Sequence, residues 1–341
     1  MSALLRRIGK ALPLLDCMVA RTLVTGGAGF IGSHVVDRLL DQGHKVVLID
    51  NFSTGTTRFI EHNLSNPALS VVELDLLTGT DDLIALSMDC QSIVHLAANA
   101  DVRFGWEHPG RDMEQNLIVT QNVCESARIA KIDRLLFSST GSVYGDTATV
   151  PTPEDCPFPI QTSLYGASKV AAESFIAAYT EAGHFRASVF RFVSVLGPRY
   201  WHGHVVDFIR KLRENPNKLE ILGDGNQKKS YMAVSDCVDA LVSRIDATPT
   251  FEVLNLGVDA YCTVRESAGW ICSRMNLDPE FVFSGGDRGW IGDNPFIWLD
   301  VSRVQALGWS PKVSLREGVE QTVDYLLEND WVLDRPTGRP K

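Results

Sequence analysis

Through the first half of the chain, short runs of β-branched and aliphatic residues recur at Arg21–Thr25, Lys45–Asp50, Leu69–Leu74, Ser92–Leu96, Arg134–Ser139 and Arg186–Phe192. Stretches of helical pattern separate them, and two of these, near Asp112–Ala130 and Leu164–Thr180, combine apolar and polar faces. Strands alternating with helices in this way predict an α/β fold, a Rossmann-like doubly wound parallel sheet with right-handed crossovers. After Phe192 the rhythm loosens at Gly197-Pro198, Gly203, Pro216 and the Gly223-Asp224-Gly225 turn, which predicts the start of a smaller second domain. A strand-helix-strand pattern over Tyr231–Leu256 is expected to rejoin the sheet, so the second domain is discontinuous. The division is then a body over residues 19–191 and 228–257, with a smaller C-terminal unit over 192–227 and 258–341. Thr263 with Glu266 and Ser314 with Glu317 have the spacing of helix capping boxes.

Composition bounds the chemistry more than the fold. The chain has 341 residues, 45% hydrophobic and 22% charged, ordinary for a globular protein that needs no disulfides. A net charge of −10 excludes a nucleic-acid binder, since no basic stripe is available to neutralise a phosphate backbone. Any phosphate must be held by backbone amides and a few cations. Seven cysteines (Cys17, Cys90, Cys124, Cys156, Cys237, Cys262, Cys272) are scattered, with no Cys-x-x-Cys pair. They read as buried thiols of a reducing cytoplasm, with no metal site. No apolar run approaches the roughly 20 residues that span a bilayer, so no membrane partner is expected. Residues 1–18 carry Arg6, Arg7 and Lys10 ahead of an apolar patch that Asp16 interrupts, and are read as a flexible extension.

The candidate chemistry begins at TGGAGFIGSH, residues 25–34. Gly26 permits a tight turn after a strand, Gly29 lets a pyrophosphate approach the backbone, and Gly32 allows close helix–strand packing. Free amides and the positive end of the helix dipole then face the phosphates. Asp50 ends the second strand about 20 residues later, where a carboxylate accepts from both ribose hydroxyls and repels a 2′-phosphate. NAD is therefore the expected cofactor; a turn or cap aspartate is the plainer alternative for Asp50, followed as it is by Asn51 and Ser53. Asp75, just past the third strand, is placed to meet the adenine edge, and an ordinary turn residue explains it nearly as well.

Tyr165 and Lys169 in YGASK lie four apart at the start of a helix, on one face. An ammonium beside the phenol, together with the positive nicotinamide of oxidised NAD, is expected to lower the tyrosine pKa and make Tyr165 a base. The preceding strand ends in SSTGSVYG, 138–145, which brings hydroxyls to the carboxyl edge of the sheet, where open α/β sheets bind ligands. By itself, a Tyr/Lys pair at this spacing is more often a packed ring and a solvated amine.

In ordered succession, TGGAGFIGSH, Asp50, HLAANADV at 95–102, SSTGSVYG and YGASK resemble the extended short-chain dehydrogenase/reductases, a family that includes UDP-galactose 4-epimerase and the nucleotide-sugar 4,6-dehydratases. The resemblance covers about residues 20–330. It implies an NAD-binding body and a nucleotide-sugar-binding C-terminal unit, a UDP-hexose substrate and, through the two amphipathic helices, a homodimer. It assigns Thr140 to orient substrate, Tyr165 and Lys169 to catalysis, and Asn116 to a structural place. The cofactor wall it implies comprises Gly26, Gly29, Phe30, Ile31, Gly32, Asp50, Asn51, Asp75, Leu76, Leu96, Ala97, Ala98, Tyr165 and Lys169.

In the 4,6-dehydratases the hydroxyl residue is followed by Asp and Glu, acid and base for water loss; here Gly141 and Ser142 stand there. That favours 4-epimerisation. FRFVSVLGPR at 190–199 is similar to the family's RxxNVxGP segment, with Ser194 where asparagine is usual. The resemblance further implies that His204, Val205 and Phe208 line the nucleotide base. It also gives Lys229, in place of arginine, and Arg288 to the phosphates, although RGWIGD is two residues longer than the family's RxGD. Solvated surface cations are the plainer reading of these two. Ile297 falls near the position that limits pocket size beside the sugar. The alternatives are a related NAD(P)-dependent dehydratase, decarboxylase or reductase, and, from another class, a non-catalytic dinucleotide sensor, which would need only the glycine turn and Asp50.

Overall fold

The computed structural model describes residues 20–335 except 103, 158–159 and 291, and leaves the side chain of Phe104 undescribed. The expected extension over residues 1–18, including Cys17, lies outside the described residues.

Period-two alternation makes a sheet that is buried on both faces. Its strands from the first half are β1 (Arg21–Thr25), β2 (Lys45–Asp50), β3 (Leu69–Glu73), β4 (Ser92–His95), β5 (Arg134–Thr140) and β6 (Arg186–Phe192). Leu23, Val47, Ile49, Ile93, Leu135, Phe137 and Val189 belong to one apolar core, under the helices Thr80–Ser87, Val119–Ala130 and Leu164–Glu181. Their neighbours Val24, Val46, Leu48, Val94, Leu136 and Phe190 belong to another, under the helices Phe30–Asp41 and Val234–Ser243.

The second half adds β7 (Ser194–Leu196), β8 (Lys218–Ile221), β9 (Lys228–Lys229), β10 (Tyr231–Ala233), β11 (Phe251–Leu256), β12 (Cys262–Thr263), β13 (Glu280–Phe283) and β14 (Phe296–Ile297). The main sheet has seven strands in the order β11-β6-β5-β4-β1-β2-β3, every pair parallel. This is the expected Rossmann-like winding, and the strand order reverses between β1 and β4, the switch point where such folds bind ligands. Of the Tyr231–Leu256 pattern only β11 rejoins the sheet. The chain leaves the sheet after Phe192 and carries β7 out beside it, and β10 pairs with β7 in a separate ribbon. A third core gathers Phe208, Ile209, Leu212, Ile271, Val319 and Val323 around the helices His204–Glu214, Val264–Arg274 and Leu315–Glu328. Both capping boxes form.

The single helix expected over Asp112–Ala130 is broken. A turn of α-helix at Pro109–Asp112 passes into a π-helical segment, Met113–Ile118, before the α-helix Val119–Ala130 begins. Such π-bulges are frequent at functional sites, and Asn116 lies within this one.

Candidate functional site

At the switch point the glycines do distinct work. Gly26 has a left-handed φ of +68°, and a Cβ there would come within 2.8 Å of the Ala97 nitrogen. A Cβ on Gly32 would lie 2.1 Å from the Gly26 carbonyl oxygen. Gly29 caps the helix Phe30–Asp41 without any side-chain hydrogen bond, so the first amides of that helix, with half-buried Phe30 and Ile31 beside them, are left for an anion. Across the turn, the Leu96 and Ala97 amides donate to Thr25 Oγ1 at 3.2 and 3.3 Å, and half-buried Ala98 follows.

Asp50 is 8% exposed and accepts from the Ala28 amide (3.0 Å) and the Phe52 amide (2.9 Å). Burial raises its pKa, and these backbone hydrogen bonds oppose the rise. Phe52 holds a φ of +53°, a conformation costly for a bulky residue and typical of functional loops. Asn51, Ser53 and Asp75 line a cleft of about 610 Å³, whose other wall includes His108, Arg111 and Gln115. Leu76 is buried beside it, its carbonyl accepting from Asn122 Nδ2 at 2.9 Å.

Ser163 caps the helix Leu164–Glu181 by accepting from the Gly166 amide at 3.0 Å, which sets the first turn that carries Tyr165. Thr140, at the end of β5, accepts from the Ser142 amide (3.1 Å) and donates to Ser142 Oγ (3.2 Å). The Tyr165 phenol is pushed up to about 12 by burial, against a hydrogen bond to Thr140 that pulls it down and the Asp112 carboxylate that adds to the rise. Thr140 and Ser142 thus meet at the end of β5, and the Thr140 side chain is near enough to the Tyr165 phenol to act on its pKa. A Cβ on Gly141 would meet the Phe192 carbonyl oxygen at 3.3 Å and Ile297 Cγ2 at 3.4 Å, so Ile297 does stand beside this loop.

The expected ammonium–phenol contact needs correction. Lys169 Nζ donates instead to the Ser138 carbonyl at 3.0 Å and sits 4.7 Å from the Phe137 ring centroid. Burial pulls its pKa from 10.5 to about 8, opposed by Glu173 and Asp112. Lys169 lies on the buried side of the helix, where a backbone oxygen of β5 is within reach. Two groups absent from the sequence reading emerge here. Glu173, one turn beyond Lys169, takes a hydrogen bond from Ser139 and pairs with Arg191 at 2.7 Å, both ion-pair partners being buried. Arg191 also donates to the Tyr144 hydroxyl at 2.8 Å. The i, i+4 spacing of Lys169 and Glu173 was the available signal.

The nucleotide-sugar residues are more scattered. Ser194 is exposed on β7. His204 stacks on Tyr231 with ring centroids 4.7 Å apart and meets Ser267 Oγ at 2.9 Å; burial, then Lys229, pulls its pKa to about 3, so the ring is neutral. Phe208 meets it edge-on, and both Phe208 and Val205 pack inward, Val205 being 0% exposed. The helix presents this apolar stripe to the third core, which leaves Val205 no surface for a ligand. Lys229 is no solvated cation: it pairs with buried Asp293 at 2.8 Å and donates to the Asn294 carbonyl. Arg288 pairs with Asp146 at 2.5 Å and donates to the Asp293 carbonyl at 2.7 Å.

A parallel doubly wound sheet, a glycine-opened helix at its switch point and a Tyr–Lys helix at the same edge define a dinucleotide-binding α/β enzyme scaffold. Residues 22–257 match the NAD dependent epimerase/dehydratase family, and the chain belongs to it. NAD is the cofactor of that family, and the open helix terminus with Asp50 at the neighbouring strand end fits it. The chain is 32% identical over 314 residues to a putative UDP-glucose 4-epimerase of Methanocaldococcus jannaschii, covering 90% of this chain and 99% of that protein. It is 32% identical over 328 residues to UDP-glucuronic acid decarboxylase 4 of Arabidopsis thaliana, covering 92% of this chain and 71% of that one. A crystal structure of a UDP-galactose 4-epimerase matches with a TM-score of 0.81 at 35% identity, over 91% of this chain and 100% of that one.

Among the described residues no helix is long and apolar enough to cross a membrane, and no group of side chains is arranged to hold a metal ion. Cys90, Cys124, Cys237, Cys262 and Cys272 are free and buried, whereas Cys156 is free and half-buried.

Proposed function

We propose that the protein interconverts UDP-hexoses epimeric at carbon 4, with UDP-glucose and UDP-galactose, or a uronate or N-acetyl variant, as its pair. The observation that carries this reading is the loop after β5. Thr140 and Ser142 meet there with the Tyr165 phenol near Thr140, and Gly141-Ser142 contribute no carboxylate to remove a carbon-bound proton.

When bound, NAD supplies reversible acceptance of a hydride at carbon 4. Gly26, Gly29 and Gly32 with the first turn of their helix would hold its pyrophosphate, and Asp50 its adenosine ribose. Thr140 would orient the sugar hydroxyl, and Tyr165, its raised pKa lowered by the positive charge that oxidised NAD would bring when bound, would take the hydroxyl proton as phenolate. The 4-keto sugar turns within the site, and Tyr165 returns the proton to the oxygen on the other epimer. Lys229 and Arg288 would meet the pyrophosphate of the sugar nucleotide. The helices Val119–Ala130 and Leu164–Glu181 expose Ile129 and Phe175, apolar surface that a second copy would cover in a homodimer.

The second reading is a decarboxylase of the same family, supported by the likeness to the Arabidopsis enzyme. Purified protein given UDP-glucose is expected to yield UDP-galactose of unchanged mass. Tyr165→Phe should lower turnover roughly a hundred- to ten-thousandfold with substrate affinity retained. Failure to convert UDP-glucose, UDP-glucuronate or UDP-N-acetylglucosamine to the 4-epimer, or loss of carbon dioxide from the uronate, would overturn the reading.

A further inference from the structure

Asp112 takes no part in the mechanism above, yet its carboxylate is buried next to it. The residue is 1% exposed and ends the helical turn that precedes the π-helical segment. Its Oδ1 accepts from Asn99 Nδ2 at 2.7 Å and from Asn116 Nδ2 at 3.4 Å. Its Oδ2 is buried without a hydrogen-bond partner and faces Gly105, where a Cβ would come within 2.1 Å of it. Asn116 accepts from the Asn99 amide at 2.8 Å and donates to Ser168 Oγ at 3.0 Å. Ser168 in turn donates to the Tyr165 carbonyl at 2.8 Å and directly precedes Lys169. One connected set of hydrogen bonds therefore runs from Asp112 to the helical turn between the two candidate catalytic residues. A carboxylate buried with an unmatched oxygen costs stability unless its charge is answered nearby.

We propose that Asp112 is a positioning residue for the Tyr165–Lys169 pair: through Asn99, Asn116 and Ser168 it fixes the turn between them, and its charge answers the buried Lys169 ammonium. The inference rests on the proposed role of Tyr165 as base. Among the described residues, the groups facing Lys169 are Glu173 on its own helix, Asp112, neutral His95 on β4, and the Phe137 ring and Ser138 carbonyl on β5. Glu173 already shares its charge with Arg191 and Ser139. Asp112 faces Asn99, Asp101 and Lys169. Its negative charge raises the pKa of Lys169 and of Tyr165 alike, so its removal lowers both.

The test uses NAD-saturated protein carrying carbon-13-labelled lysine. The ε-carbon resonance of Lys169, assigned by its loss in Lys169→Arg, should titrate at lower pH in Asp112→Asn than in the wild type, by about half a pH unit or more. With UDP-glucose as probe, both limbs of the pH–rate profile should move to lower pH in the same variant. Asp112→Ser, smaller and also neutral, gives the same reading where the amide is not accommodated beside Gly105. An unchanged Lys169 midpoint overturns the proposal whatever happens to kcat, because a purely structural role would lower kcat without moving that midpoint. Full turnover in Tyr165→Phe would overturn the reading of Tyr165 as base, a result separate from the lysine titration.

Discussion

Asp50 accepts from two backbone amides, so its carboxylate is oriented by the turn that it helps to close. Asp50→Ala should weaken NAD binding roughly ten- to a hundredfold, the worth of hydrogen bonds to a charged group, and weaken NADP binding much less. Titration calorimetry with both cofactors checks this; equal losses would remove Asp50 from the ribose role. Lys169 allows a sharper test, because it is 2% exposed and its pKa falls from 10.5 to about 8 on burial. A lysine whose folded-state pKa is depressed binds fewer protons in the folded than in the unfolded protein between those two values. Stability therefore rises with pH across that window, and below it the folded protein bears the full cost of the buried charge. Lys169→Met removes this titration but also a counter-charge of Asp112 and Glu173, so the expected outcome is in the pH dependence: its stability relative to the wild type should be more favourable near pH 7 than near pH 10.5, by about 1–3 kcal/mol. Denaturant unfolding at both pH values would contradict this if the difference from the wild type were the same at each.

At the scale of elements, what the sequence made legible was whatever rests on local pattern. The runs at Arg21–Thr25, Lys45–Asp50 and Arg186–Phe192 have the bounds of β1, β2 and β6 because alternation across two buried faces leaves them no other register. The π-helical segment was not legible, since Met113–Ile118 has ordinary helical composition and its extra residue per turn shows only in the hydrogen bonding. The pairing of β10 with β7 was hidden for another reason: a three-residue run carries no mark of which edge it will find. The glycine turn shows how tightly an element can depend on one position. Gly32→Ala would set a methyl 2.1 Å from the Gly26 carbonyl oxygen, a backbone atom that cannot swing aside. The substitution should destabilise the protein by about 1–3 kcal/mol and weaken NAD binding, because the helix terminus must retreat from the turn. Thermal unfolding with and without NAD measures both effects; an alanine variant that binds NAD with wild-type affinity would show that close helix–strand packing is dispensable here.

Across the whole molecule, the candidate site divides by sequence distance. The glycine turn, Asp50, Thr140 and the Tyr165–Lys169 helix could be put forward from the sequence because each is a short motif tied to one element. The pairs Arg288–Asp146 and Lys229–Asp293 join residues 142 and 64 positions apart, and no spacing rule announces them. They bring Arg288, Asp293 and Asn294 beside Asp146 and Gly145, whose carbonyl accepts from Asn294 Nδ2 at 2.7 Å, and so set residues from the chain's last quarter next to the loop that follows β5. The groups beside Thr140 bear on the proposed reaction. Ser142 offers a hydroxyl and Gly141 nothing, while Ile297 stands against the loop with an alkyl group. Asp112, the buried carboxylate that acts on Tyr165, lies off this loop on the helical turn Pro109–Asp112, with its Oδ1 taken by Asn99 and Asn116. Neither Gly141 nor Ser142 offers a carboxylate to take a proton from carbon, so in the proposed reaction only the hydroxyl proton and the carbon-4 hydride would move. In heavy water the product should therefore contain no carbon-bound deuterium. A 4,6-dehydratase would lose water and take solvent hydrogen at the terminal carbon; a 3,5- or 5-epimerase would exchange hydrogen next to the ketone. Mass spectrometry and proton NMR of the recovered UDP-sugar separate these outcomes, and solvent deuterium on carbon, or a product lighter by water or carbon dioxide, would reject 4-epimerisation while leaving the fold and the NAD site intact.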